Sequence, residues 1–135
     1  MGKTVFAVIV GALVGLLLAA VVGWFGGYMF PPQLPVDMDP AKARTYPMPI
    51  GEILFGLIAW ILGGLGGGYV AVRQGEAGEW PAWASAAIMA IAAVVFAIFW
   101  PHPIWFVILS VLIVVAAGFG AGRLAMRFDP QAERA

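Results

Sequence analysis

Charged residues divide the chain into apolar stretches that are long on the scale of a lipid bilayer. Residues 4–36, 53–72 and 80–122 contain no Asp, Glu, Lys or Arg, and the third of these stretches contains one histidine, His102. A helix needs about 20 mostly apolar residues to cross the hydrocarbon core. The first two stretches therefore each predict one membrane-spanning helix, and the third is long enough for two.

The segment Pro101-His102-Pro103 divides the third stretch, because two prolines remove two amide donors and push the preceding residues out of the α region. The first span is longer than the apolar core of a secretory signal, so we interpret it as a membrane helix. The pattern predicts an all-α integral membrane four-helix bundle, a single domain over residues 1–135. Its predicted spans cover 4–30, 51–73, 82–100 and 104–126, with an outer loop at 31–50 and a C-terminal tail at 127–135.

Composition supports the membrane class. Hydrophobic residues make up 63% of the chain and charged residues 10%, whereas soluble domains average about 25% charged residues. Seven basic residues balance seven acidic ones, so no net charge favours nucleic acid as a partner. The absence of cysteine excludes disulfides and thiolate metal sites.

Basic residues predict the orientation of the helices, because they gather on the cytoplasmic side. The side that carries both termini holds Lys3, Arg73, Arg123, Arg127 and Arg134, and the other side holds Lys42 and Arg44. We therefore expect both termini in the cytoplasm. Aromatic residues near the ends of the spans are expected to anchor them at the membrane interfaces; they are Tyr28, Trp80, Trp83, Trp100 and Trp105.

Small residues recur every fourth position along several spans, which allows helix backbones to approach closely inside a membrane. We predict that the packing glycines are Gly11, Gly15, Gly23, Gly27, Gly63, Gly67, Gly118 and Gly122. Two uses stay open. The small-residue faces either close the intramolecular bundle, or one of them is spare and faces a second copy or another membrane protein.

The outer loop contains six prolines, which stiffen it into extended or turn conformations. Asp39 is expected to cap one helical turn that begins at Pro40. Asp37, Asp39, Glu52 and His102 are all expected on the outer side, where carboxylates and a histidine could bind a divalent metal or respond to pH. In the alternative interpretation Glu52 caps a helix, the aspartates form turns and His102 bonds to a loop carbonyl. The spacing matches no metal motif, so we assign no metal ligand.

The spans contain few groups able to bind a substrate or to perform chemistry. Transporters and channels keep polar groups within the membrane, whereas these spans offer Ser85, Ser110 and little else. A broken helix at Gly63 to Gly68 would supply backbone carbonyls instead. An intramembrane enzyme needs a nucleophile with a base, and Ser110 shares its span with neither a histidine nor an acid. We expect neither enzyme activity nor a cofactor.

Three motifs resemble a loose group of short bacterial inner-membrane proteins. They are Tyr28 to Pro32 at the end of the first span, Ala59-Trp60 followed by Gly63 to Gly68, and Pro101 to Phe106. The resemblance implies a four-helix protein of the bacterial inner membrane and suggests that Trp60 and His102 have roles beyond packing. It implies no particular activity.

These features favour a non-catalytic role, as an accessory or scaffold subunit that associates with itself or docks on a larger membrane complex. The alternative is a small transporter, channel or lipid-handling protein with a polar outer mouth near Glu52 and His102. A cavity open toward those two residues would favour the alternative, and a dry bundle with an exposed glycine face would favour the scaffold.

Overall fold

The computed structural model of the protein describes residues 1–31, 35–100 and 102–128. Within these ranges the chain is helical and contains no strand, which confirms the predicted all-α class there. Predicted features that fall on Pro32, on Pro101 or on the tail beyond residue 128 lie outside the described residues.

Four long helices and one short helix make up the described fold. They are α1 (Gly2–Met29), α2 (Pro40–Ala43), α3 (Ile50–Gly75), α4 (Trp80–Phe99) and α5 (Ile104–Arg127). The four long helices are long and apolar enough to cross a membrane, as the charge gaps predict. Their ends lie within two residues of the predicted spans.

Prolines set several of the helix boundaries. Pro49 and Pro103 immediately precede α3 and α5, and Pro81 lies in the first turn of α4. The first turn tolerates proline because its amide groups have no partner within the helix. A proline also follows the end of a helix. Helix α1 ends just before Phe30 and Pro31, because the proline ring disfavours the α conformation in the residue that precedes it.

The long helices run alternately up and down. Helices α3 and α4 each pack against the other three, whereas α1 and α5 hardly touch each other. One end of the bundle carries Met1, the α3–α4 turn and Phe128, and we call it the termini end. The other end carries residues 35–49 and the α4–α5 turn, and we call it the long-loop end.

Glycines bring α1 and α3 into backbone contact at two levels. A methyl group placed on Gly11 would lie 2.6 Å from the carbonyl oxygen of Gly67, and one placed on Gly15 would lie 2.6 Å from that of Gly63. Real side chains do not reach such distances, so both positions require glycine. The contacts run in both directions, because Gly63 and Gly67 meet the carbonyl oxygens of Gly15 and Gly11 in the same way.

Alanine and glycine pairs extend the same packing to α4 and α5. A methyl group on Gly118 would lie 2.5 Å from Cβ of Ala86, and one on Gly122 would lie 3.2 Å from Cβ of Ala82. The run from Gly63 to Gly68 belongs to this packing. The hypothesis of a broken helix there is wrong, because α3 continues through the run from Ile50 to Gly75 and neighbouring helices supply its contacts.

The core of the bundle consists mostly of alanine. The largest fully buried side chains are Met89, Val114, Pro81 and Ser85. Met89 fills the space opposite Gly15 and Gly63, so its thioether occupies the volume that the glycines leave. Trp60 packs against the cluster of Ala86, Met89 and Val114 from the side.

Candidate functional site

The long-loop end is covered by the chain segment that includes α2. Asp39 caps α2, since its Oδ1 accepts a hydrogen bond of 3.1 Å from the amide of Ala41. Ala43 at the end of α2 is buried, and Arg44 Nη1 donates a hydrogen bond of 3.4 Å to the carbonyl oxygen of Ala97. Ala97 belongs to the last turn of α4, where unpaired carbonyls favour a cation. Arg44 therefore holds this segment against the end of α4.

His102 lies between two aromatic rings in the α4–α5 turn. Its ring is nearly parallel to that of Phe106, with 5.2 Å between the centroids, and it lies 5.8 Å from the ring of Phe96. Nδ1 is 3.2 Å from the carbonyl oxygen of Trp100. Because a carbonyl only accepts, Nδ1 carries the hydrogen and Nε2 is left as an acceptor in the neutral ring.

The surroundings of His102 favour its neutral form. Burial lowers the pKa of His102 below its usual value, and the positive charge of Arg44 acts in the same direction. The hydrogen bond to Trp100 raises this pKa but does not cancel the effect of burial. Protonation of His102 would place a second cation close to Arg44 in a half-buried site.

Glu52 lies in the first turn of α3, where the helix dipole favours a carboxylate. Its Oε2 is buried and has no hydrogen-bond partner among the described residues. One turn further along α3, a methyl group on Gly56 would lie 2.7 Å from Cζ of Phe106. Phe106 thus contacts both Gly56, one turn after Glu52 in α3, and the ring of His102.

The four predicted polar residues share one end of the bundle, where they have different surroundings. Asp37 is exposed and Asp39 is used as a helix cap. Among the residues that the structure describes, no group of three or more His, Asp or Glu side chains is placed to hold a metal ion.

The sequence did not identify the aromatic contacts of His102. Phe106 is one helical turn beyond His102, which is a weak signal for stacking, whereas Phe96 belongs to the preceding helix and approaches only after the turn has formed.

The sequence analysis also does not predict Gly26 as a packing glycine, although a side chain there would collide with Phe55 of α3. Two predicted packing glycines make little or no close contact within the described part of the chain, since Gly23 reaches only Cβ of Ala59 at 4.0 Å and Gly27 meets no atom within 4 Å.

Two hydroxyl groups are buried in the described part of the chain. The buried polar residues of the described chain are Ser85 and Ser110. Ser110 donates a hydrogen bond of 2.8 Å to the carbonyl oxygen of Phe106 in its own helix, and the Ser85 hydroxyl has no partner there.

The termini end carries charged and aromatic side chains. Lys3 Nζ lies 2.7 Å from Glu76 Oε1, and Thr4 Oγ1 donates a hydrogen bond of 3.4 Å to the carbonyl oxygen of Gly75, so the beginning of α1 is held at the end of α3. The predicted interface anchors are all exposed near the helix ends, with Tyr28, Trp100 and Trp105 toward the long-loop end and Trp80 and Trp83 toward the termini end. Comparison of the chain with protein-family models, with curated proteins and with solved structures finds no significant match.

Proposed function

We propose that the protein is a non-catalytic accessory or scaffold subunit of a bacterial inner membrane, with both termini in the cytoplasm. One observation carries the proposal: the interior is filled with alanine and glycine, and its buried polar side chains in the described chain are the two serines. A substrate that crosses a membrane needs groups that replace its water, and this interior offers almost none. A compact apolar bundle is suited to binding other membrane proteins.

The face that would associate with another copy or another protein is expected on α1. Gly11 and Gly15 contact α3, whereas no atom of the residues that the structure describes lies within 4 Å of where a side chain on Gly27 would be. Ala20, two turns before Gly27, is exposed, and Gly23 between them is only loosely covered. Small residues at this spacing allow a second helix to approach closely.

The experiment is chemical cross-linking in native membranes, gentle extraction and measurement of the mass of the product. We expect either integer multiples of the chain or a larger complex with other subunits. Gly27→Leu should abolish the cross-linked product, because the larger side chain keeps the partner helix away. Ala87→Leu is the matched control, since Ala87 on α4 is also a small exposed residue. A monomer in every condition would contradict the proposal.

A second candidate is a small transporter, channel or lipid-handling protein with its mouth near Glu52 and His102. The buried oxygen of Glu52, which has no hydrogen-bond partner among the described residues, is the observation that favours it, because such an atom is costly unless it has a function. Flux of ions or small solutes through liposomes that contain the protein distinguishes the two roles. Flux that Glu52→Gln removes would support the candidate, and the absence of flux in the unchanged protein would exclude the ions and solutes assayed.

A further inference from the structure

At the termini end, Arg123 lies over an aromatic ring. The guanidinium carbon of Arg123 lies 4.4 Å from the centroid of the Phe119 ring. The Phe119 ring in turn meets Trp83 of α4 edge to face, with 5.0 Å between their centroids. A guanidinium stacked on a ring loses little freedom when it binds an anion, and it keeps its in-plane donors available.

A second arginine lies one turn further on the same face. Arg127 follows Arg123 by four residues, and both are exposed. Like charges at this spacing repel each other, so an anion between them is favoured. Lys3 at the same end is paired with Glu76, whereas no carboxylate of the described residues lies within ion-pair distance of either arginine.

The surface on the membrane side of these arginines is apolar and shallow. Ala116 and Gly120 lie on the same face of α5 as Arg123 and Arg127, and both are exposed. A side chain on Gly120 would meet no atom of residues 1–31, 35–100 and 102–128 within 4 Å. Leu112 continues this face as an exposed apolar residue. The result is a track along α5 with two cations at its end.

We propose that Arg123 and Arg127 bind the phosphate of an anionic glycerophospholipid whose acyl chain lies along Ala116 and Gly120. The arginines supply charge-assisted hydrogen bonds to the phosphate oxygens. Trp83 lies beside the headgroup at the depth where indole rings favour the membrane interface. A free phosphate ion shares the headgroup chemistry but cannot use the apolar track, so the two ligands can be told apart.

The test is a titration of delipidated protein in mild detergent, followed by native mass spectrometry, with phosphatidylglycerol, phosphatidylcholine and inorganic phosphate as separate ligands. We expect phosphatidylglycerol to bind best. In the double variant Arg123→Gln/Arg127→Gln its affinity should fall by about fivefold for each arginine removed. The double variant Lys3→Gln/Arg73→Gln removes two positive charges from the same end and should keep the original affinity.

A second variant tests the track. Gly120→Leu keeps both arginines and should weaken phosphatidylglycerol binding without changing the weak binding of inorganic phosphate. Equal loss in the two double variants would overturn the proposal, because it would indicate diffuse attraction to charge. Equal binding of phosphatidylglycerol and phosphatidylcholine would also overturn it, and so would inorganic phosphate that competes at the concentrations at which the lipid binds.

Discussion

The ring of His102 lies on the ring of Phe106 at a centroid distance of 5.2 Å, and the planes differ by only 16°. Phe106 is itself buried against Gly56 of α3. Phe106 thereby joins the ring of His102 to the contact between α3 and α5.

We expect the protein to lose stability as the pH falls below about 6.5, the usual pKa of histidine. The pKa of His102 is lowered in the folded protein by burial, so the unfolded chain takes up the proton first. Stability is therefore full above the usual pKa and declines toward the lowered pKa, by no more than about 1.4 kcal/mol per pH unit. Thermal unfolding in detergent between pH 8 and pH 5 measures this. His102→Gln should remove that part of the pH dependence, and an unchanged slope in the variant would contradict the assignment to His102.

Gly67→Ala should destabilise the protein by about 1–3 kcal/mol, the usual cost of overpacking a tight contact. The added methyl group would lie 2.6 Å from the carbonyl oxygen of Gly11, so α1 and α3 must separate. Gly27→Ala is the same substitution in open space and should be neutral or stabilising by up to about 1 kcal/mol, because alanine favours the helix. Reversible unfolding in mixed detergent compares the two. Equal effects would show that the close contact carries no special cost.

Ser85→Ala should be neutral or should stabilise the protein by about 1 kcal/mol. The Ser85 hydroxyl is fully buried and has no hydrogen-bond partner among the described residues, so removing it abolishes a desolvation cost. Ser110→Ala is the control, because it deletes a hydrogen bond of 2.8 Å to a carbonyl of the same helix and should cost about 0.5 kcal/mol, the lower end for such a bond. The two unfolding free energies are measured side by side. If Ser85→Ala lowers the free energy of unfolding more than Ser110→Ala does, the Ser85 hydroxyl has a hydrogen-bond partner in the membrane.

Arg44→Gln should loosen the covering segment at the long-loop end. The hydrogen bond to Ala97 and the favourable dipole interaction at the end of α4 are lost, together worth about 0.5–1 kcal/mol. Amide exchange over residues 36–46 should accelerate by about threefold, as that energy implies. Lys42→Gln, two residues earlier on the exposed side of α2, should leave the exchange unchanged. Acceleration by both variants alike would point to overall charge instead of the Arg44 contact.

The sequence predicts the helices far better than their contacts. Charge gaps and prolines locate the long helices, because the cost of burying charge in hydrocarbon depends only on the residues of each segment. The partner of each glycine depends on three-dimensional packing: Gly15 faces Met89 as well as Gly63, and no local pattern indicates that a methionine of α4 fills this space. For the same reason, the shared polar character of Asp37, Asp39, Glu52 and His102 does not place them in one cluster.

The most extensive contact between two described helices joins α1 and α3, which also have the longest connection between them. Helices α1 and α3 touch from Gly11 and Ala71 at one level to Gly26 and Phe55 at another, yet residues 30–49 separate them in the chain. Their recognition is therefore encoded in the helix faces, and the connection contributes little to it. A dimer in which two copies exchange α1 would require no contact that the single chain does not already make. An exchange of α1 therefore allows two copies to associate with no interface beyond the contact between α1 and α3.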